Sequence, residues 1–210
     1  MLNKQTIHKI CMALQSKYPH VRTQLIHANP FQLLIATILS AQCTDKQVNA
    51  VTPSLFASLK TPQDFITIPL SQLEDFIHST GFYHNKAKNI QQCCNMLLDK
   101  FNGKVPQSLE ELIQLPGVGR KTANVVLSTA FGKHCIVVDT HVKRISNRLG
   151  LTQNKDPVKI EFDLMKVIPK KAWNDFSLQL IFLGREYCLA RKPKCEECFL
   201  LNWCFKQNVS

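Results

Sequence analysis

Residues 115–123 read LPGVGRKTA, and the reading of this stretch decides the fold. Gly117 and Gly119 bracket Val118, and Arg120 and Lys121 open an apolar-periodic run, RKTANVVLSTAF (120–131), that stops at Gly132. Upstream, ELIQL (111–115) has helical spacing as well. Two helices are therefore joined by Pro-Gly-Val-Gly. Glycine tolerates positive φ and lets another backbone come close. Backbone N–H groups at such a turn, beside a helix N-terminus, form a ready phosphate site. Two phosphate motifs fail here. A P-loop needs glycine directly before its lysine, and position 120 is arginine; a dinucleotide fingerprint needs glycine at 122, and threonine stands there. Two readings remain: a helix–hairpin–helix grip on a DNA backbone, or a plain turn between packed helices.

Lys121 falls in the first turn of the second helix. A surface lysine prefers the other end, where the dipole is favourable. Beside Arg120 and the positive end of a helix, the uncharged amine of a nucleophile is favoured, although a lysine that merely neutralises phosphate fits the same place. Downstream, CIVVDTHVKRISNRLG (135–150) delivers Asp139 from an apolar segment to a helix start. Asp139 is a natural N-cap, and a carboxylate fixed by its cap could also stabilise a cationic sugar or handle protons near a lysine. Asp45, in SAQCTDK (40–46), is a weaker candidate of the same kind.

Helical periodicity dominates the rest of the chain. FQLLIATILSA (31–41) is apolar almost all round and should be a central buried helix. Thr44 with Gln47, and Ser108 with Glu111, have capping-box spacing, and Pro53 implies a kink or a late start. LSQLEDFIHST (70–80) should end at Gly81, KAKNIQQCCNMLLDKF (86–101) at Asn102-Gly103 and THVKRISNRL (140–149) at Gly150. Pro157 opens another helix, and WNDFSLQLIFLGREYC (173–188) closes the run; only IVV (136–138) could be extended.

The formal net charge is +11, which favours a polyanionic partner. The excess avoids residues 31–84, which are net −2, as expected where one face meets nucleic acid. No window approaches the ~18 uninterrupted apolar residues of a membrane span. The N-terminus reads as an amphipathic helix with Ile7, Ile10, Cys11 and Leu14 on one face, not as a secretory signal. The expectation is a cytoplasmic protein, so nine cysteines suggest metal ligation or free thiols. Cys188, Cys195, Cys198 and Cys204 have the spacing C-x6-C-x2-C-x5-C. Zinc and a [4Fe–4S] cluster both accept four sulfurs, and a single C-x2-C tilts the choice to iron–sulfur. The loop LARKPK (189–194), pinned at both ends, would make a rigid phosphate-contacting finger carrying Arg191 and Lys192. Cys11, Cys43, Cys93, Cys94 and Cys135 read as packing thiols.

Taken together, LLIATILSAQCTDKQVN, TGFYHNKAKNI, VPQSLEELIQLPGVGRKTANVVLSTAFG, VDTHVKRISNRLG and the C-terminal cysteines resemble, in order, the blocks of the endonuclease III family of helix–hairpin–helix DNA glycosylases. The resemblance implies an all-α fold of two helical lobes with a DNA-binding cleft between them. One lobe is a six-helix barrel with the helix–hairpin–helix, residues 22–131. The other joins 1–21 to 132–210 around a [4Fe–4S] cluster. It implies that Lys121 matches the Schiff-base lysine, Asp139 the essential aspartate and the four cysteines the cluster ligands. Gln42 matches a residue that fills the gap left by an everted nucleotide. Phe82 stands where relatives often carry a leucine wedge, and Ile113 where some carry an acidic residue. Gly117, Gly119, Arg120, Arg191 and Lys192 would hold phosphates.

The implied activity removes oxidised pyrimidines from double-stranded DNA and cuts abasic sites by β-elimination. The implied protein is a nucleoid-associated monomer with no membrane partner, in which the cluster holds its loop. A non-catalytic DNA-binding or redox-sensing iron–sulfur protein is the alternative, disfavoured by Lys121 and Asp139 occurring together.

Overall fold

The apolar run that begins at Phe31 forms a helix buried on every side: Leu33 through Leu39 are all inaccessible or nearly so. In the computed structural model, which describes residues 2–206 and 209, this helix is α2 (Pro30–Leu39). It follows α1 (Lys4–Lys17) and precedes α3 (Asp45–Ser58), α4 (Pro62–Thr67), α5 (Leu70–Ile77), α6 (Tyr83–Phe101), α7 (Leu109–Leu112) and α8 (Arg120–Phe131). Then come α9 (Thr140–Leu149), α10 (Pro157–Val167) and α11 (Trp173–Glu186), with 3-10 turns at His78–Thr80, Lys170–Ala172 and Leu201–Trp203. The expected all-α class holds, with no strand among the described residues.

Two compact units emerge: Thr23–Lys133, and Met1–Arg22 with His134–Ser210. In the first, α8 packs on α2, α4 and α5 pack on α6, and the Phe31 and Phe65 rings meet edge to face at 5.5 Å. In the second, Ile7, Ile10 and Leu14 of α1 share a core with Val142, Ile145 and Leu149 of α9 and with Phe176, Leu180 and Leu183 of α11. Burying each such aliphatic side chain contributes about 1.5–3 kcal/mol.

Several local expectations are corrected. Thr44 does cap α3 through the Gln47 amide at 3.2 Å, but the Gln47 side chain donates to Ser79 Oγ at 2.7 Å instead of returning to the cap. Ser108 caps α7 through the Glu111 amide, and its hydroxyl donates to the Glu111 carboxylate at 2.5 Å. A reciprocal box forms at Thr61 and Asp64 instead, where the Asp64 carboxylate accepts from the Thr61 and Lys60 amides at 2.8 Å. Pro53 lies inside α3, which starts at Asp45, so there is no late start. α6 begins at Tyr83, earlier than periodicity suggests, with Phe82 as its left-handed N-cap. The segment 135–138 is buried but no strand: the Cys135 and Val137 amides donate to Asn174 Oδ1 and Ser177 Oγ of α11, which satisfies a chain with no strand neighbour.

Candidate active site and metal centre

The turn between α7 and α8 is closed by the Val118 amide donating to the Leu115 carbonyl at 3.0 Å, with both side chains buried. Its two glycines differ. Gly117 has φ +77°, and a Cβ there would lie 3.0 Å from Asn89 Cβ on α6. Gly119 has φ −85° and is the N-cap of α8 without a side-chain cap, yet a Cβ there would meet nothing within 4 Å. The protein itself does not require glycine at 119, and the space beside the first amides of α8 is open. Arg120 and Lys121 are the first two residues of α8; Lys121 is exposed, and the first turn contains no acidic residue. Ala123, Val126 and Leu127 bury the opposite face, which fixes the helix under the lysine.

Asp139 caps α9. It is half-buried, and its Oδ1 accepts from the Val142 amide at 2.8 Å. Burial holds the His141 imidazole below its ordinary value, against the opposing pull of Asp139. The Arg144 guanidinium lies 3.2 Å from His141 Nδ1 and donates to the Cys188 carbonyl at 2.9 Å. One turn on, Arg148 is buried, donating to Cys188 Sγ at 3.3 Å and to the Leu189 and Ala190 carbonyls at 2.7 and 3.1 Å. The helix that Asp139 begins is thereby tied to the cysteine loop.

Cys188, Cys195, Cys198 and Cys204 line one open pocket, together with Arg148, Tyr187 and Lys206. Among the described residues no three His, Cys, Asp or Glu side chains converge on a point that one ion could occupy. Thiols that ring a volume suit a polynuclear group better than a single tetrahedral ion. Burial raises the Cys198 and Cys204 thiols above their ordinary range, a cost that binding to positive iron would offset. The Lys206 amide donates to Cys204 Sγ at 3.4 Å, and Arg148 reaches Cys188 Sγ, so donors already face two of the sulfurs. The residues fit a cluster. Arg191 and Lys192 are exposed on the loop, which the Lys194 amide closes onto the Tyr187 carbonyl at 2.9 Å.

Gln42 and Phe82 lie on two turns of the unit that also holds Lys121. Both have positive φ, +52° and +50°; Gln42 is exposed and Phe82 is 63% exposed. Asp45 is the first residue of α3 and half-buried.

Sequence reasoning passed over Arg144, Arg148 and Lys86. Two of them carried a signal: Lys86 shares the buried stripe of α6 with Ile90, Cys93 and Leu97, and Arg148 lies between the buried Ile145 and Leu149 of α9. A cation on a buried stripe needs acceptors that the local sequence does not contain.

Residues 35–170 match the family described as HhH-GPD superfamily base excision DNA repair protein, and residues 188–204 match the iron–sulfur binding domain of endonuclease III. The chain is 52% identical to an endonuclease III of Synechocystis sp. over 202 residues, covering 96% of this chain and 92% of that one. It is 48% identical to an endonuclease III of Bacillus subtilis over 205 residues, covering 97% and 94%. Among solved structures it is similar to a trapped endonuclease III–DNA covalent intermediate, an estranged-adenine complex, with a TM-score of 0.94, 50% identity and coverage of 98% and 97% of the two chains. A non-covalent endonuclease III–DNA complex gives the same TM-score at 51% identity, with the same coverage.

Proposed function

Because the chain belongs to the endonuclease III family of HhH-GPD base excision DNA repair proteins, we propose that Lys121 is its nucleophile, Asp139 the carboxylate that serves it, and an oxidised pyrimidine in duplex DNA its target. The chain is a base excision repair enzyme, a DNA glycosylase and abasic-site lyase, and its partner is DNA. It carries a [4Fe–4S] cluster. When bound, the cluster supplies iron–thiolate bonds that hold the 188–204 loop, through Cys188, Cys195, Cys198 and Cys204 in this reading. No helix of the described residues is long and apolar enough to cross a membrane.

The observation that carries the reading is the placement of Lys121: exposed, in the first turn of α8, directly past an open glycine turn, with no carboxylate in that turn to pair it. A damaged base is hidden in the stack and has to be everted first. Gln42 and Phe82 enter the space it leaves, offsetting an unstacking cost of a few kcal/mol. Phosphates rest on the turn of Gly117 and Gly119 and on Arg120, Arg191 and Lys192. The lone pair of Lys121 Nζ then forms a bond to C1′. The glycosidic bond breaks, and its electron pair leaves with the base, which takes up a proton. Asp139 supports the positive charge that grows on the sugar and accepts a proton from the attacking amine. Ring opening gives the imine, which acidifies the C2′ proton. Loss of that proton expels the 3′ phosphate and cuts the strand, and water releases the lysine.

Borohydride reduction on an abasic-site duplex tests the nucleophile. The parent protein should yield a covalent adduct and Lys121→Ala none; an undiminished adduct from the variant moves the nucleophile elsewhere. Single-turnover release from duplexes carrying an oxidised pyrimidine or an oxidised purine tests the target, and faster release of the purine refutes it.

A further inference from the structure

Lys86 is only 4% exposed, on the face of α6 that also buries Ala87, Ile90, Cys93, Cys94 and Leu97. Packing alone would favour an aliphatic residue there, because a buried ammonium loses its hydration. Its Nζ donates to the Leu39 carbonyl at 2.7 Å and to the Thr80 carbonyl at 2.9 Å. Leu39 is the last residue of α2, where the helix dipole welcomes a cation, and Thr80 is the last residue of the His78–Thr80 turn. Both carbonyls would otherwise be buried acceptors at the end of an element.

Each of the two carbonyls stands at the root of a turn. Past Leu39 the chain tightens through Ala41 N donating to Ile38 O at 3.3 Å and Cys43 N donating to Ser40 O at 3.1 Å, and the residue between is Gln42. Past Thr80 it runs through Gly81 to Phe82, whose own carbonyl accepts from the Lys86 amide at 3.1 Å. Gln42 and Phe82 are two of the few non-glycine residues with positive φ, a conformation that persists only where the surroundings enforce it. One lysine thus bonds, by side chain and backbone, the roots of both turns.

We propose that Lys86 is a positioning residue for duplex opening: its ammonium ties the Gln42 turn to the Phe82 turn, so that the two inserting side chains meet the DNA as one pre-set pair. The inference rests on the reading of Gln42 and Phe82 as inserting residues. A loose pair would have to be ordered during eversion itself, and that step alone would slow.

The experiment compares single-turnover strand cleavage at an abasic site in a fully paired duplex with cleavage at the same site in an unpaired bubble, where little stacking has to be broken. Proteins are the parent, Lys86→Met, Lys86→Gln and the double variant Gln42→Ala/Phe82→Ala, each checked for its fold by circular dichroism. Lys86→Met keeps the length and removes every donor. It should lose about tenfold on the paired duplex and less than about twofold in the bubble, and adding it to the double variant should cost nothing further. Should Lys86→Met fail to fold, Lys86→Gln, which can reach one carbonyl, carries the same comparison with a smaller selective loss. Equal losses on both substrates, beside a selective loss in the double variant, overturn the clamp alone. Absence of a selective loss in the double variant refutes the inserting role of Gln42 and Phe82, and the clamp with it.

Discussion

Asp139 Oδ1 accepts from the Val142 amide at 2.8 Å, and an asparagine in the same rotamer would present an oxygen to that amide equally well. In the proposed mechanism, in contrast, an amide cannot replace the charge at a growing sugar cation. Asp139→Asn should therefore hold stability within a few tenths of a kcal/mol while cutting turnover about a hundredfold or more. Asp139→Ala should lose the same turnover and about 1 kcal/mol of stability besides. Urea unfolding and single-turnover base release separate the two; full turnover in Asp139→Asn would leave the residue as a cap only. Lys121 and Asp139 could be singled out in the sequence because their neighbours mark them: a glycine turn before one, a buried apolar run before the other. Lys86 and Arg148 are marked only by their place on a buried stripe, and what keeps them there is not local. Their acceptors, Leu39 and Leu189, lie 47 and 41 residues away, and charged side chains are exposed by default.

At the scale of elements, the α7–α8 hairpin separates what folding needs from what binding needs. Gly117 combines φ +77° with a 3.0 Å approach to Asn89, so Gly117→Ala should destabilise by about 1–2 kcal/mol. Gly119 has an ordinary φ and open space at its Cβ position, so Gly119→Ala should cost under about 1 kcal/mol as a poorer cap. If phosphate rests on this turn as proposed, its methyl would stand in the way and duplex affinity should fall. Thermal unfolding and fluorescence anisotropy on the same two proteins test the contrast, and a Gly119→Ala protein with unaltered affinity would contradict it. Where local chemistry terminates a helix, its end could be read from sequence: α8 and α9 stop at Gly132 and Gly150, both left-handed caps. Where tertiary contacts decide, it could not. α6 starts at Tyr83 because Phe82 adopts a left-handed cap, and Gln47 leaves its expected box for Ser79, thirty-two residues on. The apolar run IVV (136–138) is equally silent about α11, whose Asn174 and Ser177 serve the amides that a strand partner would otherwise take.

Over the whole molecule, a formal charge of +11 makes affinity for any polyanion depend on salt, so affinity alone does not identify a contact. The slope of affinity against salt does better, because each phosphate neutralised releases its own counterions. Arg191 and Lys192 are exposed on a loop whose carbonyls at Cys188, Leu189 and Ala190 are held by Arg144 and Arg148. A loop fixed in this way loses little entropy on meeting a duplex, so its cations can act as contacts and not merely as diffuse charge. Changing both to alanine should weaken duplex binding and reduce the slope of log K against log salt by about 1.8, the share of two phosphates. At saturating duplex and low salt, the yield of borohydride-trapped adduct should stay at the parent level, since in the proposed mechanism neither side chain takes part in imine formation. A weaker complex with an unchanged slope would mean that the two cations act only through the overall field. A lost adduct at saturation would mean that the loop shapes the reacting centre itself.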